Sequence, residues 1–486
     1  MKTPIVGGQY VTALVDAADN RMINMYAEKV PEGGKTAGFI SRCPSLHLEI
    51  TVGDGPIRGM IVLDREFAIV VSGKEVYYMS NSSSSLGKSH YTAALIGTVT
   101  GEGPVSIARS GGQVFIACNP DAFIVTLFGN QVQAFTKVTD PDFPGAATVV
   151  YIDGFFLFNE PHSQRLWVTE LLNGFNIDAL DFASAEGHPD FVMAVDTNRT
   201  EVWAFGNGSI EVFYNSGIGG FPFVRVEGAL IEQGCDAYAS IVKMDNAFFW
   251  AGRDDTGTYM IFRSNGYSVA RISDHAIEAL IQEFLDIRLA EAFGYQYHGH
   301  SFYIISFPTT QRTFVYDVAT SLWYEWADYS NAGGFTRFRG NCSMGFENVR
   351  LIGDYKNGNI YSLNPGVYKE GDRPQKWLRS WRALPAGENT LKRLIHHHLQ
   401  LDCQTSVGNL TEDGANPQVA LRWSDDGGHT WSNSHLAPLG ALGDTSKRVI
   451  WRRLGVSRDR IYELSGTDPV PVTILGAELQ LSEGAT

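Results

Sequence analysis

Between residues 67 and 362 the chain repeats one pattern at intervals of about 45 to 50 residues. Each repeat is a short apolar strand, a tight polar turn and a second strand that usually carries Tyr or Phe. A four-stranded blade of a β-propeller uses about 40 to 50 residues and cannot bury both faces alone, so the repeat predicts a propeller. Seven hairpins fit seven blades, but the first or last could instead close a six-bladed ring. The hairpin segments are 67–73 with 76–79, 113–117, 155–158 with 165–168, 201–206 with 209–214, 247–252 with 258–262, 301–305 with 313–317, and 349–354 with 359–362.

Composition favours an all-β chain with more than one core. Glycine accounts for 51 of 486 residues and aromatic residues for 12%, as expected of turn-rich strands that fit a half-buried pleated surface. The chain is longer than a domain built around a single hydrophobic core usually is, so a second domain is expected beside the propeller. No apolar run approaches about 18 residues and the first residues lack a signal-peptide core, so neither membrane insertion nor export is expected.

Three ranges differ in sequence character. Residues 1–60 do not match the repeat and contain turn-forming stretches, so an N-terminal arm and the start of the propeller are expected there. Residues 61–370 are the predicted β-propeller. A charged, turn-rich stretch at 369–374 then precedes segments that alternate like sandwich strands, which assigns residues 371–486 to a C-terminal β-sandwich.

One inserted helix is expected near residues 275–293, on the rim of the ring. Ser273 or Asp274 can cap its start, and Gly294 follows its end. The apolar residues that recur at helical spacing are Ile277, Leu280, Ile281, Phe284 and Leu285.

The net charge of −15 is unevenly distributed. Affinity for phosphate rests on clustered Lys and Arg, so the net charge argues against a nucleic-acid clamp. Residues 373–460, however, carry 13 Lys and Arg against 8 Asp and Glu. They could form a basic face toward an acidic partner or another subunit, or they could be scattered solvated charges. Arg448, Arg452 and Arg453 are the candidate subunit or partner interface. The whole basic set is Arg379, Arg382, Lys392, Arg393, Lys447, Arg448, Arg452 and Arg453.

The segment 424–431 matches the Ser-x-Asp-x-Gly-x-Thr-Trp "Asp box" found in sialidase propellers. The pattern predicts a hairpin turn in which the Asp426 carboxylate bonds turn amides, Gly428 permits a left-handed backbone and Trp431 packs beneath the loop. Such boxes lie away from the catalytic face, and this one occurs once, outside the repeat. We therefore interpret Ser424, Asp426, Gly428, Thr430 and Trp431 as a structural turn.

The sequence offers no catalytic or metal site. A glycosidase needs a carboxylate pair, and a sialidase also needs an arginine cluster and a Tyr–Glu pair, but no spacing singles out such a group. His396 and His398 would share one face of a strand with His397 on the other, without a second ligand pair nearby. The five cysteines are odd in number and widely separated, which favours reduced thiols over disulfides or metal ligands. No cofactor and no enzymatic activity are expected.

Taken in order, eight segments resemble the tail hub of short-tailed bacteriophages that infect enteric bacteria. This family is also called the packaged-DNA stabilisation, tail accessory or tail nozzle protein. The segments span nearly the full length, but each is short and structural, so the resemblance supplies no catalytic residue. They are 23–28, 38–46, 205–214, 233–236, 276–281, 423–428, 447–455 and 471–479.

The resemblance implies a homo-oligomeric ring of six copies in the virion, assembled in the bacterial host cytoplasm. In that family the hub joins the portal and its adaptor to the needle and the tailspikes or fibres, and it retains packaged DNA. DNA would pass through the channel without specific binding, and no membrane is involved. Two alternatives stay open, a glycan-binding or receptor-binding propeller and a sialidase-like glycoside hydrolase.

Overall fold

The computed structural model describes residues 1–11, 19–83, 89–185, 187–188, 190–254, 256–284, 286–330, 332, 334–364, 366–371, 373–385, 387–388, 392–410 and 413–484. The chain begins with seven short strands that contribute to four different sheets. These strands are β1 (Lys2–Thr3), β2 (Tyr10–Val11), β3 (Asp19–Asn20), β4 (Met22–Ile23), β5 (Met25–Lys29), β6 (Gly38–Arg42) and β7 (Leu46–Thr51).

Five four-stranded antiparallel meanders, blades 1 to 5, then follow one another along the chain. Their second strands are apolar almost throughout because both faces are covered by neighbouring blades. The strands are β8 (Ile57–Val62), β9 (Phe67–Ser72), β10 (Glu75–Ser83) and β11 (Ser89–Thr98) in blade 1; β12 (Ser106–Arg109), β13 (Gln113–Ala117), β14 (Ala122–Phe128) and β15 (Gln131–Lys137) in blade 2; β16 (Val149–Ile152), β17 (Phe155–Asn159), β18 (Arg165–Glu170) and β19 (Asn173–Ser184) in blade 3; β20 (Val192–Asn198), β21 (Glu201–Gly206), β22 (Ile210–Asn215) and β23 (Phe223–Arg225) in blade 4; and β24 (Val242–Met244), β25 (Ala247–Arg253), β26 (Tyr259–Asn265) and β27 (Ser268–Arg271) in blade 5.

The inserted helix is present but shorter than predicted. Helix α1 spans His275–Gln282, and the Asp274 carboxylate accepts a backbone hydrogen bond of 2.8 Å from its first turn. Ser273, the other candidate cap, instead donates its hydroxyl to a helix carboxylate at 2.6 Å. The predicted end at 293 was wrong, because a strand begins at Glu291 and buries alternate residues there. Leu285, assigned to the apolar face, lies outside the described residues.

After the helix the chain builds a sixth four-stranded meander, the shared meander, then a separate hairpin, then the last blade. The shared meander is β28 (Glu291–Tyr297), β29 (His300–Phe307), β30 (Arg312–Asp317) and β31 (Leu322–Glu325); the hairpin is β32 (Ala327–Ser330) and β33 (Gly334–Arg337); blade 6 contains β34 (Gly340–Phe346), β35 (Val349–Asp354) and β36 (Asn359–Leu363).

The N-terminal strand β7 closes the ring by pairing antiparallel with β36, so blade 6 is built from both ends of the propeller segment. Hydrogen bonds then link neighbouring inner strands, for example Asn341 Nδ2 to the carbonyl of Ile57 at 3.1 Å, from blade 6 to blade 1. The ring therefore holds six separate blades, and the shared meander fills a seventh position between blades 5 and 6.

The C-terminal part is a β-sandwich of two sheets. The remaining strands are β37 (Lys369–Glu370), β38 (Arg373–Pro374), β39 (Trp377–Arg382), β40 (Leu394–Cys403), β41 (Gln418–Ser424), β42 (His435–Pro438), β43 (Val449–Arg452), β44 (Val456–Ser457), β45 (Ile461–Gly466) and β46 (Thr473–Glu483). One sheet has nine strands in the order β28-β29-β30-β31-β4-β39-β45-β41-β42, so it continues directly from the shared meander. The other has the order β43-β40-β46-β6-β5, with β1 paired to β46 and β44 to β40.

The N-terminal residues are thus more than an arm laid on the surface. Strands β1, β5 and β6 lie in one sheet of the sandwich and β4 lies in the other. Their side chains Met25 and Ile40 join a single hydrophobic core with Trp377 and Trp381. The sheets and the core therefore combine residues from both sides of the proposed boundaries at 60 and 370. The division into 1–60, 61–370 and 371–486 stays a prediction.

Candidate functional site

The segment 424–431 forms a tight turn after β41. Asp426 Oδ1 accepts hydrogen bonds from Ser424 Oγ at 2.6 Å and from the Thr430 amide at 2.8 Å, and Oδ2 accepts from Thr430 Oγ1 at 2.5 Å. The Gly428 amide donates to Ser424 Oγ at 2.8 Å, and the positive φ of 98° there favours glycine. The indole N–H of Trp431 donates to the Gly428 carbonyl at 3.0 Å.

The hydrogen-bond donors within this turn keep the Asp426 carboxylate ionised. The hydroxyl of Ser424, followed by the hydroxyl and amide of Thr430, holds the pKa of Asp426 well below its usual range. The Trp431 ring is half-buried and stacks with the Arg422 guanidinium, 4.6 Å from the ring centroid. The Asp426 carboxylate is therefore kept ionised by donors of its own turn. This suits a structural role, and an ionised carboxylate lacks the proton that a general acid needs.

Arg448 precedes the edge strand β43, Arg452 is its last residue and Arg453 follows it, and all three are exposed. Arg448 Nη2 donates to Gln400 Oε1 at 2.6 Å. No ion pair forms at Arg452 or Arg453 within the part of the chain that the structure describes. These three arginines, hereafter the basic edge, therefore carry positive charge that forms no ion pair with a carboxylate of the described residues.

The wider basic set does not form one face. Arg379 is 2% exposed and sits in the core. Three others are paired locally, Arg382 with Asp459, Lys392 with Glu483 at 2.8 Å, and Lys447 with Asp444 at 3.7 Å. Of the two possibilities that the sequence left open, one basic face or scattered charges, a single face cannot contain all eight cations, because sequence spacing does not show which strand face each cation occupies.

The three consecutive histidines have three different environments. His396 is buried between Tyr462 Oη at 2.8 Å and Ser457 Oγ at 2.9 Å, and burial, with the nearby Arg460, lowers its pKa to about 3. His397 is exposed and bonds Ser482 Oγ at 2.7 Å. The register of β40 shifts between His396 and His398, so the two do not share a face as predicted.

Buried arginines fix the N-terminal segment to the sandwich. The Arg42 guanidinium donates to Gln375 Oε1 at 3.0 Å and to four main-chain carbonyls. Those carbonyls belong to Tyr368, Gln375, Asp468 and Val470. Burial lowers the pKa of Arg42 to about 10, so the side chain stays charged at neutral pH. One side chain thus ties strand β6 to the connection at 368–375 and to the loop before β46.

Arg379 makes a second tie of the same kind. From strand β39 its guanidinium donates to the carbonyls of Ile5 at 2.8 Å, Gly8 at 3.2 Å and Arg21 at 3.4 Å. Neither Arg42 nor Arg379 forms an ion pair within the described residues. Each stabilises the sandwich by satisfying carbonyls of chain segments that lack a strand partner.

A buried charge cluster joins blade 6 to the connection between the two domains. Arg373 bonds both carboxylate oxygens of Asp328 at 2.8 Å and Glu370 at 3.2 Å. Arg339 bonds Asp328 at 3.1 Å and Asp354 at 3.0 Å. Three buried carboxylates therefore share two guanidinium groups. Burial and the neighbouring Asp328 raise the pKa of Glu370 to about 8, so this cluster retains a proton at neutral pH.

A cavity of about 270 Å³ lies on the axis of the ring, where the inner strands converge. Burial raises the pKa of Asp196 to about 6. The polar side chains that line the cavity include Arg58, Ser106, Asp196, Tyr238, Glu291 and Asn341.

Other site types have little support in the described ranges. No group of three or more His, Cys, Asp or Glu residues there could hold a metal ion. No described helix has the length and apolar character needed to cross a membrane. All five cysteines have free thiols, and burial raises the pKa of each, which leaves them poor nucleophiles.

Sequence reasoning missed the two arginine ties and the charge cluster. Arg42 is the last residue of a strand in which apolar and polar residues alternate, and Arg379 lies between two tryptophans. The apolar neighbours of each arginine were therefore a weak indication that it is buried. Their acceptors are main-chain carbonyls up to 428 positions away, which no sequence pattern encodes.

Comparisons with known proteins cover both parts of the chain. A family model described as the β-propeller of bacteriophage P22 Gp10 matches residues 1–368, and one described as the β-sandwich of bacteriophage P22 Gp10 matches residues 376–482. The chain is similar to the tail hub protein gp10 of Salmonella phage P22, at 20% identity over 410 residues, covering 81% of this chain and 84% of that protein. A solved WD40 domain of Neurospora crassa Pan2 matches with a TM-score of 0.40 and 10% identity, over 64% of this chain and 89% of that one. The two family matches confirm the predicted order of a propeller followed by a sandwich.

Proposed function

Because the chain belongs to the family of bacteriophage P22 Gp10 propeller-and-sandwich proteins, we propose that it is a structural hub protein of a bacteriophage tail. Membership confirms the resemblance read from the sequence. The observation that carries the proposal is that both parts of the chain match one family, in order. The similar curated protein is itself a tail hub protein.

In this proposal several copies, six by the resemblance, form a ring in the virion after assembly in the host cytoplasm. The ring joins the portal and its adaptor to the needle and to tailspikes or fibres, and it retains the packaged DNA. The continuous nine-stranded sheet supports this mechanical role, because it couples propeller and sandwich through main-chain hydrogen bonds. The arginine ties and the charge cluster stiffen the same junction.

The charge distribution supports a hub through which DNA moves without binding. A chain with a net charge of −15 repels the phosphate backbone on average, which disfavours sticking. The basic edge is the exception and is suited to an acidic surface of a neighbouring subunit or of the adaptor. Head-to-tail contacts between unlike surfaces close into rings when the rotation is right.

The experiment that tests the proposal measures assembly. The double variant Arg452→Glu and Arg453→Glu should weaken ring formation or adaptor binding in sedimentation, since it reverses the charge at the basic edge. Raising the salt concentration should weaken the wild-type contact in the same direction. The monomer should keep its melting temperature, because both side chains are exposed.

A charge-matched control keeps the result interpretable. Arg65 and Arg199 are also exposed but lie in turns of the propeller, so Arg65→Glu with Arg199→Glu changes net charge equally. Equal loss of assembly in both double variants would show a net-charge effect and reject the basic edge. A protein that stays monomeric with its adaptor at all concentrations would reject the ring.

The axial cavity favours one second candidate, a glycan-binding propeller. Its Arg58, Asp196 and Glu291 are charged groups that could orient a hydroxyl-rich ligand. Saturable binding of an oligosaccharide, abolished by Asp196→Asn, would support that alternative. We assign no enzymatic activity to the chain. Hydrolysis of a chromogenic sialoside by the purified protein would instead support the glycoside hydrolase alternative.

A further inference from the structure

Arg350 of strand β35 is shared by two grooves beside the shared meander. One groove, of about 580 Å³, lies toward blade 5, and the other, of about 540 Å³, lies toward blade 6. Tyr295 and Gln296 of strand β28 also line both grooves. Small-molecule sites typically measure roughly 300–1,000 Å³, so each groove is large enough for a ligand. The two grooves together are hereafter the meander groove.

Only one edge of the Arg350 guanidinium is occupied. Nη1 donates to the Gly294 carbonyl at 3.2 Å and to Ser343 Oγ at 3.3 Å, which fixes the orientation of the group. Nε and Nη2 make no hydrogen bond and no ion pair with the described residues. The side chain is half-buried, and burial lowers its pKa. Loss of hydration without a carboxylate partner destabilises a cation, and a bound anion would offset that loss.

The unoccupied edge is the one that other arginines of this chain use to bind carboxylates. Nε and Nη2 are parallel donors whose spacing matches the two oxygens of a carboxylate. Arg312 holds Glu325 through these two nitrogens at 3.2 and 2.9 Å. Arg288 holds Asp286 in the same way at 2.9 and 3.0 Å. Because no described carboxylate fills this edge of Arg350, its geometry predicts a carboxylate supplied by a ligand.

The rest of the meander groove offers hydrogen-bond acceptors and a flat aromatic surface. Glu49 and Glu347 line it, and neither forms an ion pair with Arg350. The exposed ring of His298 stacks on Tyr297 with centroids 4.1 Å apart and 6° between the ring planes. A ligand therefore needs one carboxylate for the arginine, several hydroxyl donors for the acceptors and a face that packs on a ring. Sugar acids combine these features, whereas an acidic peptide would bring carboxylates to two glutamates with few donors to offset the repulsion.

We propose that the meander groove binds an acidic oligosaccharide, with a sugar carboxylate held by Nε and Nη2 of Arg350. Gln296 is exposed beside this position, and its amide can donate to and accept from sugar hydroxyls. The meander groove adjoins the axial cavity at Ala292 and Cys342, but Asp196 lines only the cavity. The proposal does not depend on the tail-hub assignment.

The test measures binding of trigalacturonic acid and of sialyllactose to the full chain by isothermal titration calorimetry. At least one of them should bind saturably, and methyl esterification of its carboxyl groups should abolish binding. Arg350→Gln should weaken binding by about tenfold or more, because a charge-assisted bidentate pair is lost. Arg350→Lys should weaken it as well, since lysine keeps the charge but lacks the two parallel donors.

A further variant keeps the test valid if the Arg350 variants unfold. Gln296→Glu preserves the shape of an exposed side chain and adds negative charge to the meander groove. It should weaken binding of the acidic sugar at an unchanged melting temperature. Arg199→Gln, at an exposed arginine in a propeller turn, and Asp196→Asn, in the axial cavity, are the matched controls and should bind like the wild type.

Four results would overturn the proposal. Neither sugar binds, or the methyl ester binds as tightly as the acid. Folded Arg350→Gln and Gln296→Glu bind like the wild type. Asp196→Asn loses binding, which would place the sugar in the axial cavity. A tetraglutamate peptide binds more tightly than either sugar, which would assign the meander groove to an acidic polypeptide.

Discussion

Glu370 is the residue whose protonation should control the connection between the domains. Its pKa of about 8 lies above the ordinary value of 4.5, so the folded state holds its proton more tightly than the unfolded chain. This contribution to stability is complete below the ordinary pKa and is lost as pH rises through about 8. Above that pH two buried carboxylates face each other across one arginine.

Glu370→Gln should remove this pH dependence. Between pH 5 and pH 9 the free energy of unfolding of the wild type should fall by at least about 1.4 kcal/mol more than that of the variant, the equivalent of one pKa unit. Denaturant titrations at both pH values measure the difference. Glu227→Gln, a change at an exposed glutamate, is the control and should follow the wild type. Parallel pH profiles for Glu370→Gln and the wild type would reject the shared proton.

Asp426 should matter for folding and have no role in catalysis. Asp426→Ala removes the acceptor of three donors in the turn, two hydroxyls and one amide, so the melting temperature should fall by a few degrees. The lowered pKa means that this contribution is present above the usual range of aspartate and lost in strong acid, where variant and wild type should converge. Asp54→Ala, at an exposed aspartate, should melt like the wild type. A glycosidase activity lost at unchanged melting temperature would contradict the structural role.

These residues differ in how far the sequence could predict them. The turn at Asp426 is built from donors within four positions of the carboxylate, so the local pattern is enough. The charge state of Glu370 depends on Asp328, in strand β32, and on Arg339, in the connection between β33 and β34, and so follows from their packing. Arg452 was named from the sequence as a candidate interface residue, and the set that could form a basic face also contained Arg379, which is buried.

At the scale of elements, the repeat predicted the blades because each blade is a local meander. Strand alternation and turn residues fix such units within about 50 residues. The pairing of strands β4 and β7 was not predicted, since they come from a segment without the repeat and their partners lie about 300 residues away. Helix α1 was predicted too long because short apolar runs fit helix and strand periods alike.

The pairing of the N-terminal strands predicts the outcome of limited proteolysis. Cleavage between residues 366 and 376 should give two bands on a denaturing gel but one species in gel filtration, because β1, β5 and β6 hold the fragments together. For the same reason, residues 376–486 expressed alone should not fold, and co-expression with residues 1–375 should restore the complex. A C-terminal fragment that elutes alone as a folded domain would contradict this account.

At the scale of the whole molecule, the nine-stranded sheet and one hydrophobic core join propeller and sandwich into a single unit. The order of the two domains was predicted from the sequence and is confirmed by the family matches. Ring formation and partner binding stay predictions, because they depend on surfaces of other chains. The basic edge is an exposed surface through which such contacts could form.

The most direct test of the hub proposal is DNA retention by particles that lack this protein. In the phage that encodes the chain, a nonsense mutation in its gene should leave packaging intact but release the genome afterwards. Nuclease-resistant DNA per capsid should therefore fall to near background, and the wild-type protein supplied in trans should restore it. Particles that keep their full genomes and lose only attachment to cells would contradict the hub proposal and favour receptor binding.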